Sequence, residues 1–405
     1  MNSHTLAPAA AGSSTRPALL RTSDPGSFAQ NTFKVRIPAI LQEALDLNPT
    51  FDGEIRHNIA ALHAELTAGA IRGLIESAPD RPFWDAAAAP YIGRSWLNVP
   101  WYWAEAFFYR RVLEATRYFQ PGPWQGVDPY AAKKRAEWAP EAAPQAVAQL
   151  LESLPADDLE AQCEQLLHAA LWGNRTDLSY TIAAHLGATA SPVDERANLL
   201  VDDSAVLWRF LQTNAGGRVA ILADNAGTEL LMDVVLLDFL LTTGLAAEVH
   251  LHLKPQPMFV SDAMIQDLAD GLDALALGGE AAAKLARRVD GHIVADELIL
   301  KTHWFNASSL FYSQMPDDLR ADLARMDLVL VKGDANYRRL LDDAHWPPNT
   351  PFADALSYFP APVAALRTLK GEIIVGLVPG QVERLAEEDP AWLVNGKRGV
   401  IQARL

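Results

Sequence analysis

Val219-Ala-Ile-Leu-Ala-Asp-Asn-Ala-Gly-Thr-Glu229 decides how this chain is read. Its first five residues are uninterruptedly apolar, as in a strand buried on both faces. The run stops at Asp224 and Asn225, passes Gly227 and enters TELLMDVVLLDFLLTTG, which is long and apolar enough for a buried helix. A strand that ends in polar residues and turns directly into a helix is half of a βαβ unit. Outward from it the texture repeats. ANLLVDD, AAEVHLHLK, DLVLVKGD and GEIIVGL are further short apolar runs, and helical stretches such as MIQDLADGLDAL and PDDLRADLARM lie between them. Such alternation predicts a mainly parallel sheet with helices on both faces, a three-layer α/β/α sandwich. The carboxyl ends of its strands then share one edge, where open α/β sheets bind ligands.

Before this region the pattern is helical. RIPAILQEALDL, IRHNIAALHAELTAGAIRGLIES and LEAQCEQLLHAALWG repeat apolar residues at helical spacing, with Pro-rich breaks between them. The expected organisation is a flexible tail over 1–27, an all-helical N-terminal domain over 28–194 and an α/β catalytic domain over 195–405. The tail lacks the charged start and apolar core of a secretory signal.

Composition bounds the function. The 405 residues carry 34 Lys and Arg against 50 Asp and Glu, a formal net charge of −16. So acidic a surface has no general footprint for nucleic acid or an anionic membrane, and anions must bind at local cationic clusters. The single cysteine, Cys163, excludes an intrachain disulfide or a Cys-based metal cluster and fits a reducing cytoplasm. No apolar stretch reaches the roughly 20 residues of a membrane span.

Four strand ends carry candidate chemistry. Asp224 and Asn225, with Glu229 in the next helical turn, can hold a hard cation beside a phosphate, or can simply cap the helix. Asp262, in Met258-Phe-Val-Ser-Asp262, reads as a ligand or as another cap. His250 and His252 share a strand face but have no third ligand nearby in sequence, so they read as ordinary strand residues. Lys332-Gly-Asp334, with Asn336 after it, reads as a ligand-approaching turn or a capped helix start. Arg367-Thr368-Leu-Lys370 and Lys397 supply cations suited to a phosphate. In the helical half, Trp101, Glu105 and Phe108 share one helix face that reads chiefly as core. Together the four ends suggest metal-assisted phosphoryl chemistry.

The motifs ADNAGTEL, FVSD, LWGNRTDLS, KGDANYR, RTLK and GKRGVIQ, with the opening RIPAIL and the aromatic helix, resemble the damage-control phosphatase family over about residues 28–402. The RTLK signature points to the subfamily that includes protein-glutamate (acidic residue) methyltransferase-like and sugar-phosphate phosphatase proteins. The resemblance implies a divalent metal (Mn2+, Co2+, Ni2+ or Mg2+) held by Asp224, Asn225 and Asp262. It also implies catalysis involving Asp224 and Asp334, and a substrate site of Glu229, Asn336, Arg367, Thr368, Lys370 and Lys397. The expected activity is hydrolysis of small phosphorylated metabolites, with fructose 1-phosphate or fructose 6-phosphate as substrate. Water is the simplest nucleophile, and an aspartyl-phosphate on Asp224 or Asp334 is the other route. Two further readings are S-adenosylmethionine-dependent glutamate methylation and non-catalytic metabolite binding. Against methylation, ADNAGTE offers only Gly227 where the usual nucleotide-binding turn is glycine-rich.

Overall fold

A computed structural model describes residues 16–138, 142–173 and 196–405. Among them seven strands form one sheet: β1 (Leu199–Asp202), β2 (Gly217–Leu222), β3 (Ala246–Leu253), β4 (Leu298–Thr302), β5 (Leu328–Lys332), β6 (Val363–Thr368) and β7 (Gly399–Arg404). The spatial order is β1-β7-β6-β5-β2-β3-β4, parallel throughout except for the β6–β7 pair. The helices that position the site are α1 (Ile37–Leu47), α2 (Gly53–Ala68), α3 (Trp101–Ala115), α4 (Leu159–Trp172), α5 (Thr228–Thr242), α6 (Ile265–Leu277), α7 (Asp317–Leu323) and α8 (Asp334–Leu340).

Alternate residues of β2 explain its unbroken apolar run. Val219 and Ile221 enter one core with α4 and α5, while Ala220 and Leu222 enter a second core with α1, α2 and α3. The sheet is therefore covered on both faces, as expected. The N-terminal helices share a core with one face of it, and every residue of α3 is buried.

From β2 the sheet grows outward through β3 and β4, and the chain then returns to lay β5 on the opposite side of β2. A crevice opens at such a reversal, beyond the carboxyl ends of the two strands. Register brings the ends level, since Leu222 pairs with both Val331 of β5 and His252 of β3. Residues just past 222, 252 and 331 thus meet at one edge.

Several local expectations change. GEIIVGL (371–377) is not a strand. The Arg367 guanidinium donates to the Gly371 carbonyl (2.9 Å) and the Ile373 carbonyl, and Gln402 Nε2 donates to the Val375 carbonyl (2.8 Å). Side chains therefore bind its backbone, and its buried Ile373, Ile374 and Val375 are a covering layer. The strands in that region are β6 and β7, and β4 is a further strand; the Ala-rich VAALRT of β6 has weak strand propensity. The helix expected across 55–77 stops at Ala68. Of the tail expected over 1–27, residues 1–15 lie outside the described residues. The part from 16 is held: Leu20 and Thr22 are buried, Leu20 N–H donates to the Asp343 carbonyl (2.8 Å), and Trp101 N–H donates to the Leu20 carbonyl (3.0 Å). Most of LWGNRTDLS and the expected boundary at 194–195 also lie outside the described residues.

Candidate metal and phosphate site

Two loops are joined backbone to backbone at the end of β2. Ala263 N–H donates to the Asp224 carbonyl (2.8 Å), Ala226 N–H donates to the Ser261 carbonyl (2.7 Å), and Asn225 and Asp262 form an antiparallel bridge. Asp224, Asn225 and Asp262 are consequently brought together, all buried. Phe259 and Val260 precede Asp262 with φ of 47° and 71°. Positive φ is costly for a β-branched residue, and such strain concentrates at functional loops.

None of the three acts as a helix cap. The N-cap of α5 is Gly227, and the N-cap of α6 is Met264, whose N–H donates to Asp267 (2.8 Å). Instead, Asn225 Oδ1 accepts from Ser261 Oγ (2.6 Å), and its Nδ2 donates to Glu229 (2.8 Å). The amide is thereby oriented, with its carbonyl oxygen on the side of the Asp262 loop.

Gly333 links this pair of loops to the third strand end. Its φ is 82°, and a Cβ there would overlap the Asp224 carboxylate. The glycine lets β5 approach Asp224 closely and hands the chain to Asp334 at the start of α8. Gly333→Ala combines an unfavourable backbone with that overlap. It is expected to reduce activity at least about 100-fold, the scale of roughly 1 Å misplacement, and wild-type kinetics in a folded G333A protein would contradict this placement.

Asp334 Oδ1 accepts from Arg367 Nε (2.7 Å) and from the Lys370 N–H (3.1 Å). Its side chain is 14% exposed against 1% for Asp262, making it the more accessible carboxylate. Arg367 differs from the expected phosphate fork. It is fully buried, stacks 4.3 Å from the Tyr337 ring centre, and directs its nitrogens to Asp334, Gly371 and Ile373. Its geometry is that of a brace for Asp334 and the following turn. Asn336 likewise donates to the Ala223 and Lys332 carbonyls (3.2 and 3.0 Å), tying the ends of β2 and β5. Thr368 is buried with no hydrogen bond at Oγ1, and Lys370 is buried beside it. Lys397 is half-exposed and 3.7 Å from Asp389.

Three buried lysines outside the expected phosphate set are also tied to these strand ends. Lys254 forms an ion pair with Asp262 (3.0 Å); the β2–β3 register, extended two residues, would have set it beside Asp224. Lys134 reaches from the helical half to donate to the Asp262 carbonyl (2.7 Å) and to pair with Asp128 and Asp267. That contact joins elements remote in sequence and leaves no local pattern. Lys332 lies among Glu229 (3.2 Å), Asp233 (2.7 Å) and the Ala170 carbonyl (2.6 Å), all buried. Burial lifts the Asp233 carboxyl to about 7, against the opposing effect of Lys332. Burial also disfavours the Lys332 cation, but Asp233 and Glu229 outweigh it and raise that ammonium above its ordinary value.

Two carboxylates and one amide carbonyl are an all-oxygen donor set, suited to a hard or borderline divalent cation. The backbone contacts that join their loops, and the positive-φ residues Phe259 and Val260 that set Asp262 in place, fit such an ion.

Residues 32–385 match the model of the damage-control phosphatase ARMT1-like domain. A human protein named damage-control phosphatase ARMT1 is 32% identical, with 95% of this chain and 98% of that one covered. Its namesake from Danio rerio is 31% identical, over 95% and 96% of the two chains. A solved DUF89 family protein from Pyrococcus horikoshii covers 91% of this chain and 96% of its own, at 16% identity and a TM-score of 0.47.

Proposed function

The chain belongs to the damage-control phosphatase ARMT1-like family, and from that premise we propose a metal-dependent phosphatase acting on small phosphorylated metabolites, fructose 1-phosphate or fructose 6-phosphate among them. The observation that carries this reading is the meeting, across Gly333, of the Asp224–Asn225–Asp262 oxygen set with Asp334 and the Arg367–Lys370 segment. Asp224, Asn225 and Asp262 would hold the ion, Mn2+, Co2+, Ni2+ or Mg2+. When bound, it would supply Lewis-acid polarisation of a phosphoryl oxygen.

The chain's own residues do the rest. Asp334, fixed at Oδ1 by two N–H donors, orients the attacking water and accepts its proton at the accessible edge of the site, and that proton passes on to the sugar oxygen as its bond to phosphorus breaks. Lys370 and Thr368 bind the phosphoryl oxygens, with Lys397 drawing the anion in. Arg367 acts through Asp334 as a positioning residue. Glu229 orients the Asn225 amide from behind, and Asn336 holds two strand ends in register. S-adenosylmethionine-dependent methylation is not favoured: it starts from a sulfonium cation and gains little from such a site. Among the described residues no helix is long and apolar enough to cross a membrane. A cytoplasmic setting, without nucleic-acid or membrane partners, completes the proposal.

Phosphate release from a panel of sugar phosphates, with EDTA and with each metal restored, tests the reading. Release from a ketose phosphate that EDTA stops and a metal restores is expected; no release from any substrate with any metal would refute it. The assigned roles predict different kinetic signatures. Lys370→Ala is expected to raise KM and lower kcat, about 10–100-fold in kcat/KM, because the group binds the transferring phosphoryl. Arg367→Lys is expected to lower kcat with little change in KM, since it displaces Asp334. Unchanged kinetics in both variants would reduce RTLK to a structural loop.

A further inference from the structure

A second group of donors, sharing no residue with the Asp224–Asn225–Asp262 set, sits on β3 and α7. His250 and His252 point from β3 toward the face covered by the N-terminal helices, in register with Ala220 and Leu222. The third ligand missing from the local sequence comes from α7: single donor atoms of His250, His252 and Asp322 lie within 4.8 Å of one another.

The two imidazoles are poorly accounted for as ordinary strand residues. His252 is 3% exposed, and neither ring nitrogen has a hydrogen-bond partner. His250 Nδ1 is also buried without one, while its Nε2 is held by Glu248. Buried polar atoms normally find partners, and a carboxylate holding the far nitrogen of an imidazole is how metal-bound histidines are usually oriented. Asp322 is paired with Arg325 (2.6 Å) and approached by Lys301 (3.7 Å), whose partly exposed side chains can turn outward. His303 is engaged with Asp318 (3.3 Å).

We propose that His250, His252 and Asp322 form a second cation site, separate from the phosphatase centre, for a borderline divalent transition ion such as Zn2+. Two imidazoles and a carboxylate favour such an ion over Mg2+. Ligands of one ion with bonds of about 2.1 Å lie at most about 4.2 Å apart, so modest side-chain rotation closes the set. The ion would pin α7 to β3, the strand that leads to Lys254. The Glu164, His168 and Asp202 group is a weaker candidate, because His168 Nε2 already meets Asp202 (3.0 Å).

Zn2+ bound per full-length chain, by equilibrium dialysis and elemental analysis, tests the site. Wild type, D262N, H168Q, H252Q and D322N are compared, with folding checked by circular dichroism. The expected result is one Zn2+ that persists in D262N and H168Q but weakens at least tenfold in H252Q and D322N. Asp322 is partly exposed, so D322N decides the matter if H252Q fails to fold. A Zn2+ stoichiometry and affinity unchanged in folded D322N would overturn the proposal, as would wild type that binds no Zn2+ beyond an ion lost in D262N.

Discussion

Asp224→Asn is expected to lower metal-dependent phosphate release about 1,000-fold or more while leaving the far-ultraviolet circular dichroism unchanged. The carboxylate is one of only two anionic donors in the proposed set, and its loop is held by backbone bonds that an amide side chain leaves intact. Loss of several kcal/mol of transition-state stabilisation follows from losing the ion's polarising charge, and about 4 kcal/mol corresponds to three powers of ten in rate. Steady-state phosphate release at saturating metal checks the prediction. A D224N protein within tenfold of wild type would remove Asp224 from the centre.

The second large effect is on stability. Lys332→Met is expected to cost about 3–5 kcal/mol, the usual scale for removing one partner from a buried ionic group. It leaves Glu229 and Asp233 facing each other with no ammonium and deprives the Ala170 carbonyl of its donor. Urea denaturation measures the loss, and a cost under about 1 kcal/mol would mean that the cluster is insensitive to its cation. The same cluster predicts a pH dependence. The Asp233 carboxyl is raised from 3.8 to about 7 by burial. A carboxyl raised on folding contributes stability that is complete below pH 3.8 and lost as pH rises through about 7. The melting temperature of wild type should therefore fall relative to Asp233→Asn between pH 5 and 8. A constant difference over that range would show that Asp233 does not take up a proton on folding.

The parts of the fold carried by contiguous residues were legible in the sequence. VAILADN showed β2 and its polar stop because a strand buried on both faces must be apolar throughout. β6 was obscured because its small alanines carry little strand signal, while the neighbouring EIIV imitates a strand through side-chain burial alone. The candidate ligands were legible as polar residues after apolar runs, but capping and coordination look alike at that level. The backbone puts Gly227 and Met264 at the caps and sets Asn225 opposite Asp262. Arg367 shows the reverse limit. Its position at a strand end suggested an anion fork, yet guanidinium donors serve backbone carbonyls equally well, and the 371–373 turn takes two of them. His252 and Asp322 were invisible as a group because helix and strand meet there only after folding.

If Asp224, Asn225 and Asp262 hold the ion on which phosphoester hydrolysis depends, metal occupancy and turnover are lost together when one of them is replaced. Electron paramagnetic resonance titration of wild type and D262N with Mn2+, with phosphate release followed in the same samples, tests it most directly. The expected result is one bound Mn2+ per wild-type chain with release rising in step with occupancy, and both lost in D262N. Equal Mn2+ affinity and equal phosphate release in the two proteins would contradict it.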